Sequence, residues 1–232
     1  MLFLFLLLLA LFLAPWVGVV LFLVPIFLLL VMIPFGFALR SFFWVFAGPT
    51  QLLSVFFNAK VRRNHALEHA TANVLEERLG LSLSLSGYAV EDGFFVDGPC
   101  SPSDLYGAAR EALSRLREGE TDLALHRRCG TTIVVVNLLA SVAFLLLLGT
   151  TGHLSLLGVV VALLVANGFG PLLSPLVQRY LTTDARVEGM EILGVEVRFS
   201  RSSSWGVHLA FPSRLFVATR QPGQALVAEV IR

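Results

Sequence analysis

Two long stretches of this chain carry no charged side chain. Residues 1–39 and 129–178 contain no Asp, Glu, Lys or Arg, so every charge falls within 40–128 or 179–232. A helix that crosses a membrane needs about 20 mainly apolar residues, and both stretches exceed that. As helix, the first would reach roughly 58 Å, close to two crossings of a hydrocarbon core about 30 Å thick. A break near residues 14–18 (APWVG) or at Pro25 is therefore expected, giving an N-terminal hairpin. It lacks the basic start of a signal peptide, and its apolar run is far longer than the usual 7–15 residues or so. Residues 41–57 are apolar and aromatic but contain Gly48-Pro49-Thr50-Gln51, which predicts a re-entrant or interfacial helix. The second neutral stretch predicts a span over 132–148, a turn at 149–153 and a second span over 154–177. Pro171 and Pro175 should kink or end the last one.

The charged regions have a different period. Residues 64–79 (NHALEHATANVLEERL) are helical by composition, with Gly80 as terminator. Residues 82–86 alternate Ser with Leu, and 88–96 carry Asp92-Gly93, a hairpin signal between strand-like runs. Ser101 is placed to cap a helix reaching about Glu118, with Leu105, Ala108, Ala109, Ala112 and Leu116 on one face. Residues 187–199 and 207–219 read as strands that complete a small sheet with the hairpin. The expected organisation is a membrane hairpin with an interfacial segment (1–57), an α+β region (58–128), a second membrane hairpin (129–178) and a β-rich tail (179–232). The fold class is an α-helical integral membrane protein of about four spans with a small α+β cytoplasmic domain.

Composition supports this reading. Hydrophobic residues make up 56% and charged residues 14%, where a soluble domain carries about a quarter charged. A net charge of +1 gives no electrostatic basis for a nucleic-acid partner; the lipid bilayer is the one partner implied, with substrate or protein partner unspecified. Lys60, Arg62, Arg63, Arg127, Arg128 and Arg179 flank the neutral stretches. By the positive-inside rule they place the polar regions on the cytoplasmic face of the inner (plasma) membrane. Cys100 and Cys129 would there be reduced thiols.

One constellation carries chemistry. His65, Glu68 and His69 (HALEH) stand at i, i+3 and i+4 and share a helix face. Two imidazoles one turn apart can bind a divalent metal, and a carboxylate beside them can act as general base; H-x-x-E-H is the inverted form of the zinc-protease helix. His126 and Cys129 (HRRC) add an imidazole and a thiol just before the next span, both good zinc ligands. No phosphate loop, nucleotide fingerprint or serine-nucleophile elbow is present.

Three segments in order, HALEHAT (65–71), HRRCGTT (126–132) and QRYLTTD (178–184), resemble the signatures of the YqhQ-type bacterial membrane proteins, an uncharacterised family with HGAEHKT-like, HPRCGTSF-like and LTT-x-x-P-like motifs. A narrower group with HALEHAT looks closer still. The resemblance spans roughly residues 64–186 and implies metal dependence without a substrate. It carries over His65, Glu68, His69, His126, Arg128, Cys129, Gly130, Thr131, Leu181, Thr182 and Thr183. Arg127 replaces a proline of the family pattern, and Ala185-Arg186 stand where a proline would follow LTT.

The working assignment makes His65, His69 and His126 ligands of a divalent metal, with zinc expected. Cys129 is either a fourth ligand or a supporting group. Glu68 is the general base and Arg128 an anion-holding catalytic group. Three ligands with an open position describe a hydrolase, such as a metalloprotease; a closed shell describes a non-catalytic membrane scaffold with a structural metal. A transporter component is a third alternative. Glu76, two turns beyond Glu68, is a further possible ligand. Asn137 and Asn167 are expected to bond across the second hairpin, and His153 and His208 to lie away from the cluster.

Overall fold

A computed structural model describes residues 1–13, 15–80, 85–204 and 207–223 of the protein. The chain divides into two compact units, Met1–Gly48 with Val136–Gly170, and Pro49–Val135 with Pro171–Arg232.

The helices that supply the first unit are α1 (Leu2–Leu13), α2 (Pro15–Phe56), α5 (Gly130–Thr151) and α6 (Leu156–Val177). Among the described residues three helical stretches are long and apolar enough to cross a membrane: Trp16–Phe56, Gly130–Thr151 and Leu156–Thr182. At 12 residues, α1 falls short of the length a crossing requires. The expected break at Pro25 does not occur. Helix α2 runs unbroken for 42 residues through Pro25, Pro34 and Pro49. The predicted re-entrant segment is simply its C-terminal part. Proline removes one N–H, but in lipid an opened backbone would leave several more groups without partners, so the helix continues. The other expected break, near residues 14–18, begins at residue 14, which lies outside the described residues, while 15–18 are helical.

Packing in this unit is built from small and aromatic side chains. Phe144 is buried with Phe37 edge-on at 5.0 Å, beside Val159 and Ala162. A Cβ on Gly170 would stand 2.4 Å from Val136 Cγ2, so the absence of a side chain there permits close helix contact. Arg40 donates to the Asn137 side chain. Asn167 donates to the Leu163 carbonyl of its own helix at 2.8 Å rather than bonding across the hairpin.

The second unit contains α3 (Ala59–Leu79), β1 (Ser86–Val90), β2 (Gly93–Asp97), α4 (Pro102–Arg117), β3 (Glu191–Ser204) and β4 (Val207–Arg220). Helix α3 starts five residues before the sequence suggests, because Asn58 caps it by accepting the Val61 N–H at 3.2 Å. It ends at Gly80 in the left-handed region, φ 62°. Ser101 caps α4 by accepting the Asp104 N–H. The strands form one antiparallel sheet in the order β1-β2-β4-β3. Its hairpin turns at Glu91-Asp92, one residue before the expected Asp92-Gly93, with Gly93 opening β2 opposite Val90; most of the alternating run 82–86 lies outside the described residues. A Cβ on Gly93 would meet the Val217 carbonyl at 2.1 Å, so only glycine fits.

The core joins Ala66, Leu67, Ala70 and Val74 of α3 to Leu105, Ala108 and Ala112 of α4 and to Phe94 and Val217 of the sheet. Asn64, fully buried, donates to the Val90 carbonyl at 2.7 Å and accepts from the Thr219 hydroxyl at 2.7 Å. Helix α3 is thereby fixed against the hairpin on which its chemical face opens.

Candidate metal centre

Helical spacing places His65, Glu68, His69 and Ala72 along one side of α3, and all four line a cavity of about 200 Å³. Its remaining walls include Ser86 and Gly87 of β1, Val96 of β2, and His126, Arg128 and Cys129. Ligand atoms of His65, His69 and Cys129 lie within 4.8 Å of one another. The Cys129 sulfur is 3.4 Å from His65 Nε2, near the edge length of about 3.5 Å that Zn–N and Zn–S bonds at a tetrahedral ion imply.

Both imidazoles are oriented from behind. His65 Nδ1 donates to the Thr182 carbonyl at 2.9 Å and His69 Nδ1 to the Ala124 carbonyl at 2.8 Å. A carbonyl can only accept, so each Nδ1 carries the proton and each Nε2 keeps its lone pair, the arrangement found at metal-ligating histidines. His69 Nε2 is buried with no hydrogen-bond partner among the described residues. The Thr131 N–H points at the Cys129 sulfur at 3.3 Å, which favours a thiolate. A buried acceptor left without a partner, such as His69 Nε2, is costly and calls for an account. A cation shared by these three groups supplies one.

The supporting carbonyls come from two segments. Thr182 ends a π-turn, Gln178–Thr182, that continues α6. Such turns leave carbonyls free of the regular ladder. Ala124 sits in a short 3₁₀ turn, Thr121–Ala124, held against α3 by Asn73, whose amide donates to the Leu123 and Leu125 carbonyls at 2.9 and 3.0 Å. Gln178 clamps the His126 backbone, accepting its N–H at 3.0 Å and donating to its carbonyl at 3.1 Å. Thr131 and Thr182 hydroxyls meet at 3.3 Å, and the Thr183 hydroxyl donates to the Gln178 carbonyl. Asp184 pairs with Arg186 at 2.9 Å. Asn73 is a supporting residue that no sequence motif singles out. Its position one turn beyond His69 was the available signal.

His126 lines the same cavity but stands outside the three-residue group. Its Nε2 lies 3.8 Å from Glu76 Oε1, and its ring centre 5.9 Å from that of His69. Arg128 is exposed on the cavity wall.

Glu68 is buried under β1. A Cβ on Gly87 would meet its Oε1 at 2.8 Å, and its Oε2 has no partner among the described residues. Burial pushes its pKa up to about 8. Burial also raises the Cys129 thiol, and it lowers His65 and, further, His69, which the neighbouring imidazole of His65 depresses as well. A cation among these groups would reverse the carboxyl and thiol shifts.

Residues 60–195, more than half of the chain, match a family described as a domain of unknown function, DUF6391. An uncharacterized protein of the cyanobacterium Picosynechococcus sp. is 43% identical over 89 residues, which take in 35% of this chain and 43% of that protein. No solved structure matches. His65, Glu68, His69 and Cys129 all fall within the matched region, and the protein belongs to the DUF6391 family.

Proposed function

We propose that the protein is a membrane-anchored, metal-dependent hydrolase, with His65, His69 and Cys129 as ligands and Glu68 as general base. The observation that carries the reading is the pairing of an incomplete ligand set with an unpartnered carboxylate in one cavity. Three protein ligands leave one position of a tetrahedral ion open, as catalytic zinc sites do, and Glu68 Oε2 has no other partner among the described residues. Two imidazoles and a thiolate favour zinc over harder ions. The ion would supply a Lewis acid and make a coordinated water acidic near neutral pH. Glu68 takes the proton of the attacking water, and Arg128, exposed on the cavity wall, holds an anionic group of the substrate or developing negative charge.

His126 then serves not as third ligand but as a polar wall paired with Glu76. The alternative, a scaffold with a structural metal, needs a closed shell, which His126 would have to complete by turning away from Glu76. Kinship with the YqhQ-type proteins rests on the three motifs alone. The flanking basic residues favour the cytoplasmic side of the plasma membrane for both polar regions.

Metal analysis of the detergent-purified protein tests the reading. About one zinc per chain is expected, lost in His65→Ala and Cys129→Ala. Glu68→Gln should keep zinc and lose turnover of fluorogenic ester, peptide and phospholipid panels. Protein without stoichiometric metal sinks the proposal; a Glu68→Gln variant as active as wild type turns it into the scaffold.

A further inference from the structure

We infer that the substrate is an extended polypeptide segment, added as a fifth strand to the open edge of β1 so that its backbone carbonyl enters the metal cavity. This rests on the hydrolase reading and names its substrate class. The cavity of about 200 Å³ lies below the usual range of roughly 300–1,000 Å³ for whole small-molecule sites. It admits the reacting group, and the rest of the substrate lies along the rim. One side of that rim is strand backbone. Ser86 and Gly87 line the cavity together with His65, Glu68, His69 and Cys129, and β1 is the terminal strand of the sheet, with β2 as its only strand neighbour among the described residues.

A terminal strand offers a row of main-chain N–H and C=O groups, and extended peptides dock by completing it. Ser86, Gly87 and Tyr88 are exposed. Gly87 has no side chain, so its exposure is that of the main chain itself, and the Glu68 carboxylate lies directly beneath it. A strand laid along β1 therefore passes beside the general base and the ligand trio. The register of main-chain bonds fixes which carbonyl is presented, and side chains alternate away from the rim.

The step balances. The water oxygen bonds to the carbonyl carbon and the C–N bond breaks. One water proton passes through Glu68 to the leaving amine, giving a carboxylic acid and an amine.

The test uses the full zinc-loaded chain in detergent micelles against internally quenched decapeptides, p-nitrophenyl esters and phospholipid vesicles. Peptide cleavage is expected, and the best peptide is then N-methylated one backbone nitrogen at a time. Because a paired strand uses every second N–H, kcat/KM should fall about tenfold at alternating positions and hold at those between. Losses without alternation overturn strand addition. Hydrolysis of esters or phospholipids without peptides overturns the substrate class and leaves the hydrolase reading standing. Bound zinc with no turnover of any class, or no bound zinc, overturns both.

Discussion

Burial acts on four neighbouring residues in opposite senses, which would make uptake of a metal at the proposed site a proton-coupled event. It raises Glu68 to about 8 and raises the Cys129 thiol, so both are largely protonated at pH 7 in the metal-free protein. It lowers His65 and His69, so both imidazoles are neutral there and have no proton to lose. A thiolate ligand must deprotonate, and a divalent cation draws Glu68 below neutrality. Zinc binding at pH 7 should therefore release about two protons per ion, read by calorimetry in buffers of different ionisation enthalpy. Glu68→Gln should release about one. Release from Glu68 fades as pH rises past about 8, where the carboxyl is already ionised. Equal release by both proteins at pH 7 would remove Glu68 from the neighbourhood of the ion. Gly87 offers a second test at this scale. Alanine there would bring Cβ to 2.3 Å from the Phe95 carbonyl and 2.8 Å from Glu68 Oε1. Overpacking of this kind costs about 1–3 kcal/mol. Gly87→Ala should lower the thermal midpoint and turnover and leave zinc stoichiometry unchanged, whereas an unaltered midpoint would show that β1 can shift.

At the scale of elements, the centre is assembled by the end of α6 and the turn before α5 as much as by α3. Gln178, 2% exposed, is the one partner of the His126 N–H among the described residues. Replacing it with leucine keeps the volume and removes the amide, leaving the buried N–H of His126 unpaired, while its carbonyl keeps the Cys129 N–H at 3.4 Å. Such a group costs about 1–3 kcal/mol, so denaturant unfolding of Gln178→Leu in micelles should show a loss of that order. A loss within the surface-mutation range of about 0.5 kcal/mol would mean that His126 is held by something else. These connections mark the boundary of what the sequence makes legible. His65, Glu68 and His69 could be placed together because helical period fixes their face, and Gly80 and Ser101 announce the end and start of their helices, whereas the Asn58 cap of α3 is a finding of the structure. Cys129 could be noted but not positioned. The 126–129 segment is a turn, not a helix, so helical spacing does not fix where its side chains go; both His126 and Cys129 line the cavity, and His126 Nε2 lies 3.8 Å from Glu76 Oε1. The orienting partners of His65 and His69 are main-chain carbonyls of Thr182 and Ala124, and a carbonyl has no sequence signature. Likewise Pro25 reads as a breaker in water, yet α2 passes through it.

For the whole molecule, the number of crossings decides which side of the membrane the chain starts on. The sequence alone favoured an N-terminal hairpin and hence an even count. The unbroken α2, with α1 too short to cross, favours three. On the proposed orientation, in which Lys60, Arg62, Arg63, Arg127, Arg128 and Arg179 obey the positive-inside rule, the residues between α2 and α5 and those after α6 would be cytoplasmic in either case. The turn at residues 152–155 between α5 and α6 is then external in either case. Only Met1 changes sides. Three crossings put it outside, and four put it in the cytoplasm. In a bacterial host, a tag ahead of Leu2 should be reached by an impermeant label in intact cells, as should a cysteine placed at His153. A cysteine at Arg186 should be labelled only after permeabilisation. An N-terminal tag protected in intact cells would restore the four-span hairpin, with the break at the α1–α2 junction. Labelling at 186 in intact cells would instead invert the molecule and carry the metal centre, whose residues follow the same polar segments, to the outer face.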